Sequence, residues 1–254
     1  MDFINFLLLL AVSFLSSIIG TMIGMAMLIL PPVMIFMGIP VHVAVATARF
    51  SMVGIGVGNI SRLSLKNKIQ SKYAYPFAIA GVIGAIISSS FISIINEDWL
   101  RMIIGIFMLI ISVLVLFEER LSLIRRKSRI TKMQHFLSIL GGLFVGSYIG
   151  IVGGGGATII IFLLVVIYGL NFQDATINQK VATLPISIVT TVIFIYQGLI
   201  DYKLGVPLFL INIIGGWVGA WLLLKINSKW LKRILLPVIV FMALKLISSV
   251  TIGK

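Results

Sequence analysis

The sequence predicts an all-α polytopic membrane protein made of two four-block halves that lie in the bilayer in opposite senses. Three observations carry this expectation. The chain holds apolar stretches long enough to cross a bilayer, it repeats itself along its whole length, and its basic loops swap places between the repeats.

Of 254 residues, 60% are hydrophobic and 11% are charged, and the mean hydropathy is +1.19. Soluble domains carry about 25% charged residues. A chain this poor in charge cannot cover its apolar surface with polar groups, so lipid is part of its solvent. A spanning helix needs about 20 mostly apolar residues, and Tyr73–Ile95, Trp99–Phe117, Lys203–Leu224 and Leu231–Val250 meet that length. The absence of cysteine excludes disulfides, thiol catalysis and thiolate metal sites. Met1–Leu10 carries Asp2 and no basic segment, so it is expected to stay in the mature protein.

Displacing the sequence by 131 residues superimposes the halves. Asn96, Trp99 and Leu100 meet Asn227, Trp230 and Leu231; Gly24, Gly38, Ala44 and Pro76 meet Gly155, Gly169, Ala175 and Pro207; Arg49 meets Lys180. The organisation is then a first transmembrane repeat at 1–118, a basic linker at 119–133 and a second repeat at 134–254.

The first block of each half, Phe3–Met37 and Gln134–Gly169, is too long for one crossing. As continuous helix it would reach roughly 50 Å against a hydrocarbon core of about 30 Å. Glycines interrupt both copies, at Gly20 and Gly24 and at Gly150 and Gly153–Gly156. Each half therefore opens with a glycine-broken helical hairpin, either two short crossings or a re-entrant loop. The other blocks are Val41–Ile60, Tyr73–Ile95 and Trp99–Phe117, repeated as Asp174–Gln197, Lys203–Leu224 and Trp230–Val250. Pro31, Pro32 and Pro185 lie in or near these spans and are expected to bend them.

The net charge of +13 does not point to nucleic acid. Fourteen of the 20 Lys/Arg sit in three clusters: Arg62 to Lys72, Arg120 to Lys132, and Lys225 to Arg233. Short basic loops beside apolar spans mark the cytoplasmic side and suit anionic lipid headgroups. The loop after the second block is basic in the first half (Ser61–Lys72) and neutral in the second. The loop after the third block is acidic in the first half (Asn96–Asp98) and basic in the second. Inverted halves put every basic cluster on one face. The expectation is a multi-pass protein of the cell membrane, with basic loops cytoplasmic and both termini outside.

Arg49 falls near the centre of the second block, and Lys180 is its repeat partner in the second half. Charges at bilayer depth are costly and usually face a partner or a polar cavity. All seven Asp/Glu fall at block ends or in loops, so no carboxylate is available as partner. The counter-charge is either a substrate anion or the backbone carbonyls of a broken helix. The run Gly153, Gly154, Gly155, Gly156 is a poor helix interior, and a helix starting at Ala157 would aim free N–H groups and the positive end of its dipole at an anion. Thr47, Ser51, Asn178 and Thr183 are the expected polar neighbours of the two cations. Other small-residue spacings, at Gly54/Gly56/Gly58, Gly142/Gly146/Gly150 and Gly215/Gly216/Gly219, are read as close helix packing.

His42 and His135 are isolated and make no metal motif. With no nucleophilic triad and no paired membrane carboxylates, neither an enzyme nor a cofactor is expected. The expected partners are a small anion and the bilayer, with a homodimer left open. The function this suggests is secondary transport of a small anion. A passive anion channel and a non-transporting scaffold subunit are the alternatives.

The glycine-rich breaks and the motifs around them carry a resemblance. Gly146-Ser-Tyr-Ile-Gly150-Ile-Val-Gly153-Gly-Gly-Gly156 is followed by Gly169-Leu-Asn-Phe-Gln-Asp-Ala175 and by Gly215-Gly-Trp-Val-Gly219-Ala220. Gly38 to Thr47 and Gly81 to Ala85 echo them in the first half. The chain resembles the TauE/SafE sulfite exporter family over nearly its whole length. The resemblance implies an exporter or permease for sulfite, sulfonates or related sulfur-containing organic anions. The first half departs from the richer glycine run, with Met25, Ala26 and Met27 after Gly24.

Overall fold

A computed structural model describes residues 2–65, 71–121, 130–226 and 229–251. The described residues form ten α-helices and no strand. The first half holds α1 (Phe3–Ile23), α2 (Leu30–Phe36), α3 (Val41–Ser64), α4 (Tyr75–Ser89) and α5 (Glu97–Leu121). The second holds α6 (Lys132–Ile151), α7 (Gly156–Tyr168), α8 (Phe172–Tyr196), α9 (Tyr202–Leu223) and α10 (Lys229–Thr251). The two series match helix for helix. Eight candidate spans are long and apolar enough to cross a membrane; α2 and α7 are the short members. Of the expected basic linker, residues 122–129 lie outside the described residues, as do 66–70 and 227–228 of the other basic loops.

Local chemistry sets the helix ends. Thr131 and Gln134 form a reciprocal capping box at the start of α6. Asn171 and Asp201 cap α8 and α9 by accepting from backbone N–H groups of the first turn. Pro31 and Pro32 occupy the first turn of α2, where a missing N–H costs nothing. They start a helix where a bend was expected. Pro185 lies inside α8, which runs on as one helix.

Each long opening block breaks where its glycines fall. α1 stops at Gly24, whose φ of +84° closes the last turn with an N–H donated to Gly20 O. In the second half, Gly155 holds the same φ of +84° ahead of α7. At 1.5 Å per residue, α2 and α7 reach only about 10 and 20 Å, too short to cross a core of about 30 Å.

The halves interleave. α9 packs on α1 and α3 of the first half, while α4 packs on α6 and α8 of the second; α5 meets α10 and α3 meets α8. The register shows which way these helices run. On α1 and α9, Ser13 donates to Asn212, and side chains added at Gly215 and Gly219 would strike Ser17 and Thr21. On α4 and α6, Gly142 lies against Phe77, Gly146 against Gly81 and Gly150 against Ser88. Both pairs therefore run parallel. So do α3 with α9, where Gly205 meets Phe50 and Gly58 meets Ile213, and α4 with α8, where Gly81 meets Ile186 and Gln197 donates to Ser89 O. The small-residue spacings are thus packing faces: with no Cβ, the backbones approach closely and gain dispersion energy that lipid cannot match. Large apolar side chains such as Leu7, Leu15, Ile79, Ile83 and Phe241 point outward, as lipid contact requires.

Candidate functional site

Arg49 lies eight residues beyond the start of α3, and Lys180 eight beyond the start of α8. At 1.5 Å per residue each is about 12 Å along its helix. Both side chains are only 4% exposed, and both border one cavity of about 80 Å³. Gly20, Gly24 and Ala26 from the first break and Ile149, Gly153, Gly155 and Ala157 from the second also line it. The two helix breaks and the two cations therefore meet at one place.

Each cation reaches across to the other half. Arg49 Nη2 donates to Ile149 O in the last turn of α6 at 3.1 Å. Lys180 Nζ donates to Gly20 O in the last turn of α1 at 3.4 Å. The last carbonyls of a helix have no partner within it and form the negative end of its dipole. Arg49 satisfies one such carbonyl, whereas Lys180 shares Gly20 O with the Gly24 N–H that already bonds it at 2.8 Å, and one bond each leaves much of the cations' hydrogen-bonding capacity unused. Arg49 Nε is buried with no partner among the described residues. Facing the same cavity is the start of α7, with Gly155 and Ala157 in its wall. The N–H groups of that first turn and the positive dipole end complete a concentration of positive potential. No Asp or Glu lines the cavity.

The glycine run has distinct positions. Gly153, at φ +74°, packs on the Arg49 guanidinium and Met27, where a Cβ would collide. Gly155, at φ +84°, needs the left-handed region that other residues enter at a cost. Gly154 lies against Met27 and Leu28, and Gly156 against Ile149, both away from the cavity wall. The Tyr148 hydroxyl donates to Gly154 O and ties the loop to α6.

Of the expected polar neighbours, Thr183 lines the cavity, accepting from Gln179 Nε2 at 2.7 Å. Thr47, Ser51 and Asn178 do not. Thr47 Oγ1 accepts from Asp201 N, Ser51 Oγ donates to Ala48 O, and Asn178 Nδ2 donates to Asp174 O. Helical phase explains the division. Met52, Gly56 and Asn59 follow Arg49 at steps of three or four, and Thr183, Leu184 and Ser187 follow Lys180 likewise. Thr47, Ser51 and Asn178 stand two residues from a cation, which is the opposite side of the helix. Gln179 and Ser187 join the wall without having been expected there, and so does Asn59, whose sequence reading favoured helix packing over lining a path; the same periodicity singles out Asn59 and Ser187. Asn59 Oδ1 and Gln179 Oε1 are buried acceptors with no protein partner among the described residues. The arrangement can hold a small anion or waters, since about 80 Å³ is several times the 10–15 Å³ one water needs.

Comparison with known proteins places the chain further. The family model described as sulfite exporter TauE/SafE matches residues 6–246. A "Probable membrane transporter protein ORF9" of a Sinorhizobium species is 22% identical over 240 residues, covering 94% of this chain and 91% of that relative. A "Probable membrane transporter protein" of Haemophilus influenzae is 23% identical over 235 residues, covering 92% and 91%. No solved structure matches.

Proposed function

This chain belongs to the sulfite exporter TauE/SafE family, and we propose that it is a secondary transporter that carries a small anion, of the sulfite or sulfonate class, through the cavity between its halves. The observation that carries the reading is the convergence of two buried cations, from equivalent positions of the two repeats, on one cavity without a carboxylate. A permanent charge in the membrane needs a counter-charge, and an anion there would supply it. Its oxygens would meet Arg49, Lys180 and the N–H groups that open α7. The cavity, at about 80 Å³, favours a compact ion over the larger molecules that fill pockets of about 300–1,000 Å³.

Inverted halves give such a site access to both faces in turn. What supports inversion is the helix register. α1 and α3 run parallel to α9, and α4 runs parallel to α6 and α8. Consecutive spans joined by short loops cross in opposite senses, so α3 opposes α4 and thereby opposes its own repeat α8. The swap of basic loops argues the same, with basic loops cytoplasmic and both termini outside. Movement of one half against the other would break and remake the bonds from Arg49 to Ile149 and from Lys180 to Gly20, so site geometry and access change together.

The test is flux of labelled sulfite and of a sulfonate panel into proteoliposomes, for the native chain and for Arg49→Gln. Saturable flux that collapses in the variant supports the carrier. Native flux that rises linearly with concentration points to a channel. Native flux untouched by the substitution removes Arg49 from the site.

A further inference from the structure

Arg49 and Lys180 are equivalent by position but not by chemistry. A guanidinium keeps its proton throughout the range proteins meet, whereas a lysine ammonium in a dry site can release one. Lys180 has three protons to place and a single bond among the described residues, the 3.4 Å contact to Gly20 O. The other ionisable groups around it are few. From α3, Arg49 shares the cavity. From α6, Tyr148 is engaged with Gly154 O, and from α7, Tyr168 accepts from Ser138 at the far end of the helix. α1 contributes no ionisable side chain. On α4 the ionisable side chain is Tyr75, exposed at its start; on α8 itself they are Asp174, in the first turn, and Tyr196, exposed at the far end.

With an anion in the cavity, both cations are balanced. Without it, two like charges share about 80 Å³ with no carboxylate, and only the lysine can discharge. The wall also offers somewhere for the proton to go. Asn59 Oδ1 and Gln179 Oε1 are buried acceptors without protein partners among the described residues, suited to hold water beside the amine.

We propose that Lys180 is a proton-carrying site, taking up a proton as the anion binds and releasing it as the anion leaves, so that each anion travels with a proton in the same direction. This rests on the reading of the cavity as the anion site. In the release step the N–H bond at Nζ breaks, its electron pair stays on nitrogen, and the proton passes to water in whichever vestibule is open. Nothing is oxidised or reduced. The empty carrier then returns with the charge of Arg49 alone, held by Ile149 O.

The experiment measures protons and labelled sulfite moved together in proteoliposomes carrying a trapped pH dye, for the native chain and Lys180→Arg. A fixed charge at position 180 cannot shuttle a proton, so the native ratio should exceed that of the variant by about one proton per anion. Any proton carried by sulfite itself cancels in the difference, and the readout is a ratio, so slower turnover does not disturb it. Equal ratios overturn the proposal. Sulfite flux in the native chain with no accompanying protons overturns it while leaving the anion transporter standing; absence of sulfite and sulfonate flux sinks both. Should Lys180→Arg not reconstitute, calorimetry on the native protein in two buffers of different ionisation heat counts protons taken up at pH 8.5 as a simple sulfonate binds, an anion with no titratable proton of its own. One supports the proposal and zero overturns it.

Discussion

Replacing Arg49 by Gln separates a binding charge from a structural one, because the two roles predict opposite changes in stability. An anion in the cavity of about 80 Å³ shares that small space with the guanidinium. At an effective dielectric constant near 20, two unit charges about 4 Å apart attract by about 4 kcal/mol. Loss of that attraction should weaken anion binding by two to three orders of magnitude, at about 1.4 kcal/mol per decade. In the empty protein the balance runs the other way. The bond to Ile149 O is worth about 1.5–3 kcal/mol as a charged hydrogen bond. Keeping an unpaired charge out of water costs several kcal/mol, so its removal should leave the melting temperature in detergent unchanged or higher. The assay is thermal unfolding of native and variant protein in detergent across a sulfite titration. A melting temperature that falls without ligand, with sulfite stabilisation intact, would refute the reasoning and make Arg49 a cap for α6.

Gly153→Ala adds a Cβ at φ +74° that collides with the guanidinium and with Met27. It should cost about 1–2 kcal/mol from the left-handed backbone alone and lower sulfite affinity by displacing Arg49, read by the same titration. Gly146→Leu drives a side chain into the backbone of Gly81. It should separate α4 from α6, visible as loss of a monodisperse peak in gel filtration. Thr47→Val and Ser51→Ala alter groups turned away from the cavity. Sulfite flux in both should stay within about twofold of native, since neither touches the charges that dominate binding. Tyr148→Phe removes the hydroxyl tie to Gly154 O and should lower stability by about 1 kcal/mol, measured by thermal unfolding.

How much of this was legible in sequence depends on the range of the interaction. Spans, breaks and caps are local: hydropathy marks α3 to α5 and α8 to α10 to within a few residues, and Gly24 and Gly155 mark the breaks. The pairing of Arg49 with Lys180 was visible because a repeat copies position. The facing of polar neighbours was also encoded, in the three-to-four spacing that admits Thr183 and turns Thr47, Ser51 and Asn178 away. Carbonyl partners were not. Arg49 and Ile149 are 100 residues apart, Lys180 and Gly20 160 apart, and a carbonyl has no letter of its own in the sequence. Whether the opening blocks cross twice turns on where each second helix begins, and Pro31 and Pro32 proved to start one.

Because α9 rests on α1 and α3, and α4 on α6 and α8, neither repeat is a packing unit by itself. During synthesis the first four spans enter the membrane before most of their neighbours exist. Small-residue faces such as Ser13, Ser17 and Thr21 on α1 lack their partner until the ribosome has delivered α9, whose Asn212 comes 199 residues after Ser13. Assembly therefore closes late and all at once. A nascent chain stalled before α9 leaves the small polar side chains of α1 without the partners that cover them in the complete fold.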